Sequence, residues 1–172
     1  ATYIFYPTIK ENKLSKENIV KDKTFKIGDD VTNVFENVIY KGENSGNFFT
    51  IHADKAEIKQ NPSVIYMKTM LITIFLKDSK WVVECAAGIY NKLNYNIFCS
   101  QDVKATDGKM IVYSQNLDLL ADEHATIYNN VLIIDENKSS LYADKVNYDF
   151  ETKLYHINMF NKDESVKVKL IK

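Results

Sequence analysis

From Val31 onward the sequence is a succession of strand-like segments, none of which has the apolar period of 3.6 residues that marks a helix. Turn signals separate these segments about every 8 to 15 residues. We therefore predict an all-β fold of about ten strands, of the sandwich or jelly-roll type. The predicted strands are residues 31–40, 48–58, 64–76, 81–87, 95–103, 111–119, 125–134, 140–150, 153–160 and 166–171.

The tripeptide Ala-Asp-Lys occurs twice, at residues 53–55 and 143–145. Each copy occupies the same point of a β-like segment that follows a turn. Self-similarity of this kind indicates one strand unit that is used more than once, in layers that stack or wrap on each other.

Two of the predicted strands carry specific expectations. Residues 64–76 are apolar at both odd and even positions, which predicts a strand in the middle of the fold with both faces covered. In the segment 111–119, strict alternation places one set of apolar residues on a single face, opposite a polar face. That apolar set is Ile111, Tyr113, Leu117 and Leu119.

The turns must depend on Asn, Asp and Ser, because the chain has only five Gly and two Pro. Asp107-Gly108 is the strongest hairpin signal among them.

No arrangement of residues suggests catalysis, a metal site or a cofactor. The three histidines, His52, His124 and His156, lie in different strand contexts, and no nucleophile elbow or phosphate loop is present. The formal net charge of −1, with 22 bases against 23 acids, gives no electrostatic signature for nucleic acid. We predict a non-enzyme that does not bind nucleic acid.

Cys85 and Cys99 are the only cysteines, and their spacing matches no zinc or redox motif. Both lie in strand-like segments beside a turn at residues 91–94, so a hairpin would bring them near one another. One interpretation is a disulfide, which requires an oxidising compartment. The other is a pair of buried thiols that pack as small apolar side chains.

Hydrophobic residues make up 45% of a chain that is nearly all strand. One interpretation is a thick, sealed core, and the other is an open groove that takes an apolar ligand such as lipid chains. The candidates for the inner face are Phe49, Ile51, Ile111, Tyr113, Leu117, Val131, Ile133, Tyr142 and Val146.

The last segment alternates Val166, Val168 and Leu170 with lysines, the pattern of an exposed edge strand with charged residues on one face. Such an edge is either protected against pairing or used to dock another sheet by strand addition.

The first seven residues are apolar and Tyr-rich and end at Pro7, as at the interfacial end of a membrane span. A span needs about 20 residues, so we expect it upstream of this stretch. The alternative is a mobile tail. We predict that residues 1–30 form the end of an anchor and a polar tether, and that residues 31–172 form the β domain.

A series of short motifs carries a family resemblance. The motifs are Phe35-Glu36-Asn37-Val38, Gly42, Gly46-Asn47-Phe48, Ala53-Asp54-Lys55-Ala56, Trp81, Gly88-Ile89-Tyr90-Asn91, Val103, Asp107-Gly108 and Ala143-Asp144-Lys145-Val146. Their order and spacing resemble the LptC family, the bitopic component of the lipopolysaccharide transport machine. That family is similar in fold to the soluble bridge protein LptA. The resemblance covers about residues 31–170.

The resemblance implies a twisted, open, V-shaped β-jelly roll whose interior shields the acyl chains of lipid A. It places the domain at the periplasmic face of the inner membrane, anchored by a single N-terminal helix, and implies no cofactor because a partner consumes the ATP. An N-terminal edge would join the inner-membrane ABC transporter subunits, and a C-terminal edge would pass substrate to an LptA-like bridge protein. The N-terminal edge residues are Val34, Phe35, Val38 and Ile39, and the C-terminal ones are Val166, Val168 and Leu170.

Two alternatives remain beside this expectation. The first is a stand-alone, LptA-like soluble bridge. The second is a β-sandwich that binds glycan or acts as an adhesive module, which predicts that Tyr90, Tyr95 and Trp81 form an aromatic platform on the outside.

Overall fold

A computed structural model of the protein describes residues 24–27, 30–44, 47–120, 124–160 and 165–170. Within these ranges the chain forms eleven strands and no helix. The strands are β1 Thr24–Ile27, β2 Asp30–Asn44, β3 Asn47–Ile58, β4 Val64–Phe75, β5 Lys80–Asn91, β6 Ile97–Thr106, β7 Ile111–Leu119, β8 His124–Ile134, β9 Ser140–Asp149, β10 Tyr155–Asn158 and β11 Lys167–Lys169.

The strands form one antiparallel sheet in which β1 to β10 follow each other in chain order, and β11 pairs with β9. Among the described strands, those at one end of this order do not pair with those at the other, so the sheet is open. The predicted all-β fold, an open antiparallel sheet of the β-jelly-roll type, is confirmed. Most of the predicted anchor and tether lies outside the described residues, although Thr24–Ile27 of that segment pair with β2.

A line of backbone irregularity crosses the sheet from β2 to β9, and we call it the bend line. Regular pairing is interrupted there in every pair of neighbouring strands along the way. Alternate strands have left-handed residues at this line, most of them Asn or Asp, which tolerate a positive φ. The bend line consists of Asn37, Asp54, Thr69, Ala86, Gln101, Asp102, Gln115, Asn129, Asn130 and Asp144.

The side-chain alternation shifts at the bend line, because an extra residue in a strand moves the following side chains to the other face. In β3 the buried positions are Phe49, Ile51 and Ala53 before the line, but Ala56 after it. The same shift by one residue occurs in β2, β4, β5, β7 and β9, whereas β6 and β8 insert a pair of left-handed residues. One face of the sheet is therefore buried on both sides of the line.

The bend line divides the sheet into two halves that face each other. The first half holds the part of β3 before the line, and the second half the part after it. Tyr90 of the second half contacts two rings of the first, with centroid distances of 5.7 Å to Tyr40 and 6.0 Å to Phe49. Trp81 of the first half lies 6.0 Å from Tyr148 of the second. The sheet is a V that is closed at the bend line.

Two predictions about faces were wrong for the same reason. The segment 64–76 is apolar at odd and even positions because its buried set changes at Thr69, and not because both faces are covered. In β7 the register shift near Gln115 separates Ile111 and Tyr113 from Leu117 and Leu119, which face the core.

The two Ala-Asp-Lys copies lie at equivalent points of β3 and β9, on the bend line. Ala53 and Ala143 face the core, and the aspartates follow at the line itself. Asp144 accepts a hydrogen bond of 2.9 Å from the backbone N–H of Phe160, in the connection between β10 and β11. The repeat thus marks the place where a strand changes its buried side.

The turns use Asn and Asp side chains as predicted. Asp107 accepts hydrogen bonds from the N–H groups of Lys109 and Met110, both at 2.9 Å, beside Gly108 with a φ of 94°. Asp135 and Asp149 accept equivalent bonds in later turns. These Asx turns are what a chain with few glycines uses in place of most glycine turns.

The left-handed backbone at Thr69 gives the first testable prediction. Thr69 has a φ of 55°, which is unfavourable for a β-branched residue, whereas Thr50 occupies a regular position of β3 opposite Thr73. We expect Thr69→Asn to raise the free energy of unfolding by about 0.5–1 kcal/mol, because Asn tolerates this conformation. Thr50→Asn should lower it by a similar amount, because Asn is a poor strand residue. Urea unfolding of both variants measures the two changes in the free energy of unfolding. Changes of the same sign would contradict a left-handed backbone at Thr69.

Candidate functional site

The space between the two halves of the V is the candidate site. Its walls are apolar: Ser114 is the one buried side chain of the polar and charged classes in the described part of the chain. The Ser114 hydroxyl donates a hydrogen bond of 3.0 Å to the carbonyl of Asn116, so it is paired within the register shift of β7. An interior of this kind offers burial to apolar groups and nothing to charged ones.

The interior reaches the surface at a mouth where the free ends of the two halves meet, opposite the bend line. The first half contributes the start of β3 and the end of β4, and the second half contributes the start of β6 and the end of β7. A cavity of about 40 Å³ lies inside the mouth. Its lining residues are Asn47, Phe48, Phe49, Ile74, Leu76, Tyr95, Ile97, Leu119, Leu120 and Phe150.

A second cavity, of about 30 Å³, lies deeper between the halves. Ile74, Leu119 and Phe150 line both cavities, so the two form one apolar path. Each is far smaller than the roughly 150 Å³ of a cavity that admits benzene. The interior is therefore filled by its own side chains, and a chain-like ligand has to displace some of them.

An aromatic cluster covers the deeper cavity. The ring of Tyr148 lies 4.8 Å from Tyr155, 5.5 Å from Phe150 and 6.0 Å from Trp81. Tyr155 belongs to the short strand β10, and its hydroxyl lies 3.8 Å from the Met110 sulfur. The cluster joins β5 and β9 to the last strands across the V.

The structure divides the predicted groove residues into two sets. Six of them face the interior, and five of these are buried while Ile133 is half-buried against the core. The inner set is Phe49, Ile51, Leu117, Val131, Ile133 and Val146.

The other three predicted groove residues lie on the outer face, and their assignment to the inner face was wrong. Tyr113 is 39% exposed and Tyr142 is 51% exposed, and both are in register with Leu132 of β8. Ile111 is on the same outer face, because its neighbour Val112 points into the core. The register shift of β7 and the alternation of β9 before Asp144 cause these differences.

Both predicted edges are edges of the sheet. Val34 and Ile39 are half-buried and Phe35 and Val38 are buried, and β1 covers the far side of β2 only up to Asn33. Beyond that residue, no described strand pairs with this side of β2.

At the other end, Val166 is half-buried, Val168 is 56% exposed and Leu170 is 76% exposed. β10 and β11 pair with the two parts of β9 on either side of the bend line, so they act as one interrupted last strand.

Groups that could carry chemistry are not assembled in the described ranges. No cluster of three or more His, Cys, Asp or Glu residues there could hold a metal ion. Likewise, none of the described segments is a helix long and apolar enough to cross a membrane. The two cysteines are both buried and lie side by side in the interior near the bend line.

The aromatic platform expected of a glycan-binding module is not formed by the residues named for it. Tyr90 and Trp81 are buried between the halves, and Tyr95 is half-buried at the mouth. The outer face does expose other aromatic residues, including Tyr66, whose ring has the Lys59 ammonium 4.5 Å from its centroid.

Sequence reasoning predicted Phe49 at the mouth but missed the other residues that line it. Leu76, Tyr95 and Leu120 lie at or just beyond strand ends, where alternation gives no information about the face. Their signal was an apolar residue directly beside a turn, which is an unusual place for one.

Comparison with known proteins adds no family assignment. No protein-family model matches the sequence, and no curated protein matches it closely enough to count as a relative.

Tyr155 gives a prediction about pH. Partial burial, together with the neighbouring Tyr148, raises the pKa of Tyr155 to about 12, from an ordinary value near 10. The unfolded chain therefore ionises this tyrosine first, and its contribution to stability is lost as the pH rises from about 10 to about 12. We expect Tyr155→Phe to make the free energy of unfolding fall less steeply across that range. Urea unfolding at pH 8 and pH 11 measures this, and equal losses in variant and wild type would contradict it.

Proposed function

We propose that this domain is a component of a lipopolysaccharide transport machine of the LptC type, at the periplasmic face of the inner membrane. It shields the acyl chains of lipid A between the two halves of the V. The observation that carries the proposal is an apolar interior that runs from the bend line to a mouth at the free strand ends.

The chemistry of the walls selects an apolar ligand. Every side chain that lines the deeper cavity is hydrocarbon or aromatic, from Val83 and Ala105 near the bend line to Phe150 near the mouth. Acyl chains fit such walls, whereas the sugars and phosphates of lipid A would lose their hydration there. The polar part of the ligand therefore stays in water outside the mouth.

Binding works as an exchange of apolar contacts. Besides the strands that cross the bend line, two exposed side-chain bonds join the halves: the ion pair of 3.3 Å between Lys153 and Asp78, and the contact of 3.8 Å from the Tyr155 hydroxyl to the Met110 sulfur. Side-chain contacts alone therefore hold the free ends together. An inserted acyl chain covers the surfaces that separate, and each Å² of apolar surface kept from water contributes about 25 cal/mol. Because no backbone hydrogen bond has to break at the free ends, and an exposed ion pair such as Lys153–Asp78 contributes little to stability, the V can open at its mouth without unfolding.

The two edges of the sheet are the proposed binding sites for partner proteins. In this proposal the open side of β2 pairs with the transporter subunits, and the exposed β11 with an LptA-like bridge protein, by strand addition. Open edges at both ends also fit a soluble bridge. Association with the membrane-embedded transporter subunits distinguishes the two, because only the LptC-type component binds them directly.

The lipid proposal predicts where a photocrosslinker will meet lipopolysaccharide. We expect benzoylphenylalanine at Tyr95, which is half-buried at the mouth, to give an adduct in cells. The same probe at Tyr113 should give none, because that position is on the outer face. Both sites are tyrosines, so the substitution is similar in size and the pair forms a matched control.

The expected readout is a lipopolysaccharide-positive band for Tyr95 only. Adducts at both positions would indicate nonspecific surface contact, and no adduct at Tyr95 in a folded protein would exclude the mouth as the lipid site.

The edge proposal predicts a variant that separates docking from stability. Val168→Asp and Leu170→Asp alter exposed residues, so we expect each to change the free energy of unfolding by less than about 0.5 kcal/mol. Each should weaken co-purification with the bridge protein, because a carboxylate replaces an apolar contact at the paired edge. Thermal unfolding and affinity co-purification measure the two effects. Undiminished co-purification with both variants would reject β11 as the docking edge.

A further inference from the structure

The two cysteines form a pair that the proposed lipid function does not use. Cys85 of β5 and Cys99 of β6 are 5% and 2% exposed, and both cysteine side chains point into the interior beside the bend line. Cys99 is directly opposite Gly88, and β5 and β6 change register between Glu84 and Ala87. This shift brings Cys85 toward Cys99, and the two thiols are close enough to interact, which lowers the pKa of Cys85 and raises the pKa of Cys99.

The surroundings keep the two sulfur atoms in this arrangement. The Cys85 thiol donates a hydrogen bond of 3.3 Å to the carbonyl of Ala87, which also accepts one of 3.4 Å from the Ser100 hydroxyl. A Cβ at Gly88 would collide with the Met70 sulfur and the Phe98 carbonyl, so the backbone at this point is closely packed. The two cysteines thus lie in a closely packed part of the sheet.

We propose that Cys85 and Cys99 close to an intramolecular disulfide that staples β5 to β6 at the bend line. The oxidant is a disulfide, either of a dithiol oxidoreductase or of a small thiol. The sequence left a disulfide and a pair of buried thiols as alternatives, and the lipid function requires neither.

A depression at the bend line borders one of the two cysteines. Its volume is about 510 Å³, and residues of β2 to β6 line it, both exposed ones such as Leu71 and Glu84 and core ones such as Met70 and Cys85. Cys85 lines this depression and Cys99 does not. The interaction with Cys99 also lowers the pKa of the Cys85 thiol, while the same interaction and burial raise the pKa of Cys99. Cys85 is therefore the attacking thiol.

The reaction balances as two exchanges. The Cys85 thiolate attacks one sulfur of the oxidant, breaks its S–S bond and releases one thiolate, which leaves a mixed disulfide on Cys85. The Cys99 sulfur, on losing its proton, attacks the Cys85 sulfur and expels the second thiolate. The protein gives up two electrons and two protons, and the oxidant leaves as two thiols.

A staple at this place acts on the centre of the sheet. β5 and β6 are the middle strands of the order β1 to β10, and the bulge between them positions Tyr90 and Ile97 in the core. The cross-link would close the segment between Cys85 and Cys99 into a loop, which lowers the conformational entropy of the unfolded chain and so stabilises the folded one. Whether the disulfide persists in the cell depends on the proposed periplasmic location, because that compartment is oxidising. Whether the two thiols can form the disulfide in the purified protein does not depend on that location.

The test is a redox titration of the purified full chain with oxidised and reduced glutathione, followed by denaturation and alkylation with maleimide. We expect the oxidised wild type to take up no maleimide, to remain monomeric and to have lost two hydrogen atoms in its intact mass. A reductant should lower its Tm by about 6–12 °C. The Cys85→Ala/Cys99→Ala double variant is the control, and its Tm should not respond to the reductant.

The single variants test the order of attack. Cys99→Ala removes the interaction with Cys99 but leaves Cys85 bordering the depression and bonded to the Ala87 carbonyl. We expect this variant to form the mixed disulfide with glutathione at least about tenfold faster than Cys85→Ala, whose remaining Cys99 is buried and does not line the depression. Two maleimide adducts on the oxidised wild type, a mixed disulfide that never resolves, or disulfide-linked dimers would each overturn the proposal. None of these outcomes depends on lipid crosslinking, so the two proposals fail separately.

Discussion

The interior of this protein depends on one shift of the side-chain alternation at the bend line. A strand of 12 residues such as β3 would otherwise run straight and bury one unbroken set of alternate side chains. The extra residue at the line turns the strand and returns its apolar side chains to the same face of the sheet. Because neighbouring strands shift at the same level, the whole sheet bends and its two halves cover each other.

The same geometry accounts for both the site and the edges. Halves that are joined along the bend line leave their free ends in contact only through side chains, and the mouth lies there. A meander that follows chain order and does not close on itself leaves its first and last strands with an unpaired side. The apolar interior and the open edges are thus two results of one topology, and a lipid carrier that joins other sheets end to end requires both. The cysteine pair lies where this topology is most irregular, at the shift between β5 and β6.

Local rules were sufficient for the fold class and the turns. Asp107 and Asp135 form their Asx turns from contacts within a few residues, so composition and spacing could predict them. The inward-facing residues were predicted correctly only where the assumed alternation matched the half-strand in which the residue lies, because the inward-facing set changes at the bend line. Val131 and Val146 were placed inside as expected, but Tyr113 and Tyr142 lie outside. The wrong prediction that both faces of β4 are covered has the same cause, because the set of buried side chains changes at Thr69 in the middle of the strand.

The sequence by itself determined that the chain is all-β, where its turns lie and which segments form the strands from β2 onward, because these depend on local propensity and on a period of two residues. It also marked two points of the bend line through the Ala-Asp-Lys repeat. It did not indicate β1, which lies in the segment predicted as a tether. Only the tertiary structure decided which face each half-strand buries, since the shift of register is shared between neighbouring strands and cannot be seen in either alone. The mouth and the contact between Cys85 and Cys99 likewise arise between residues that are brought together by the bend and by strand pairing, and no local pattern records them.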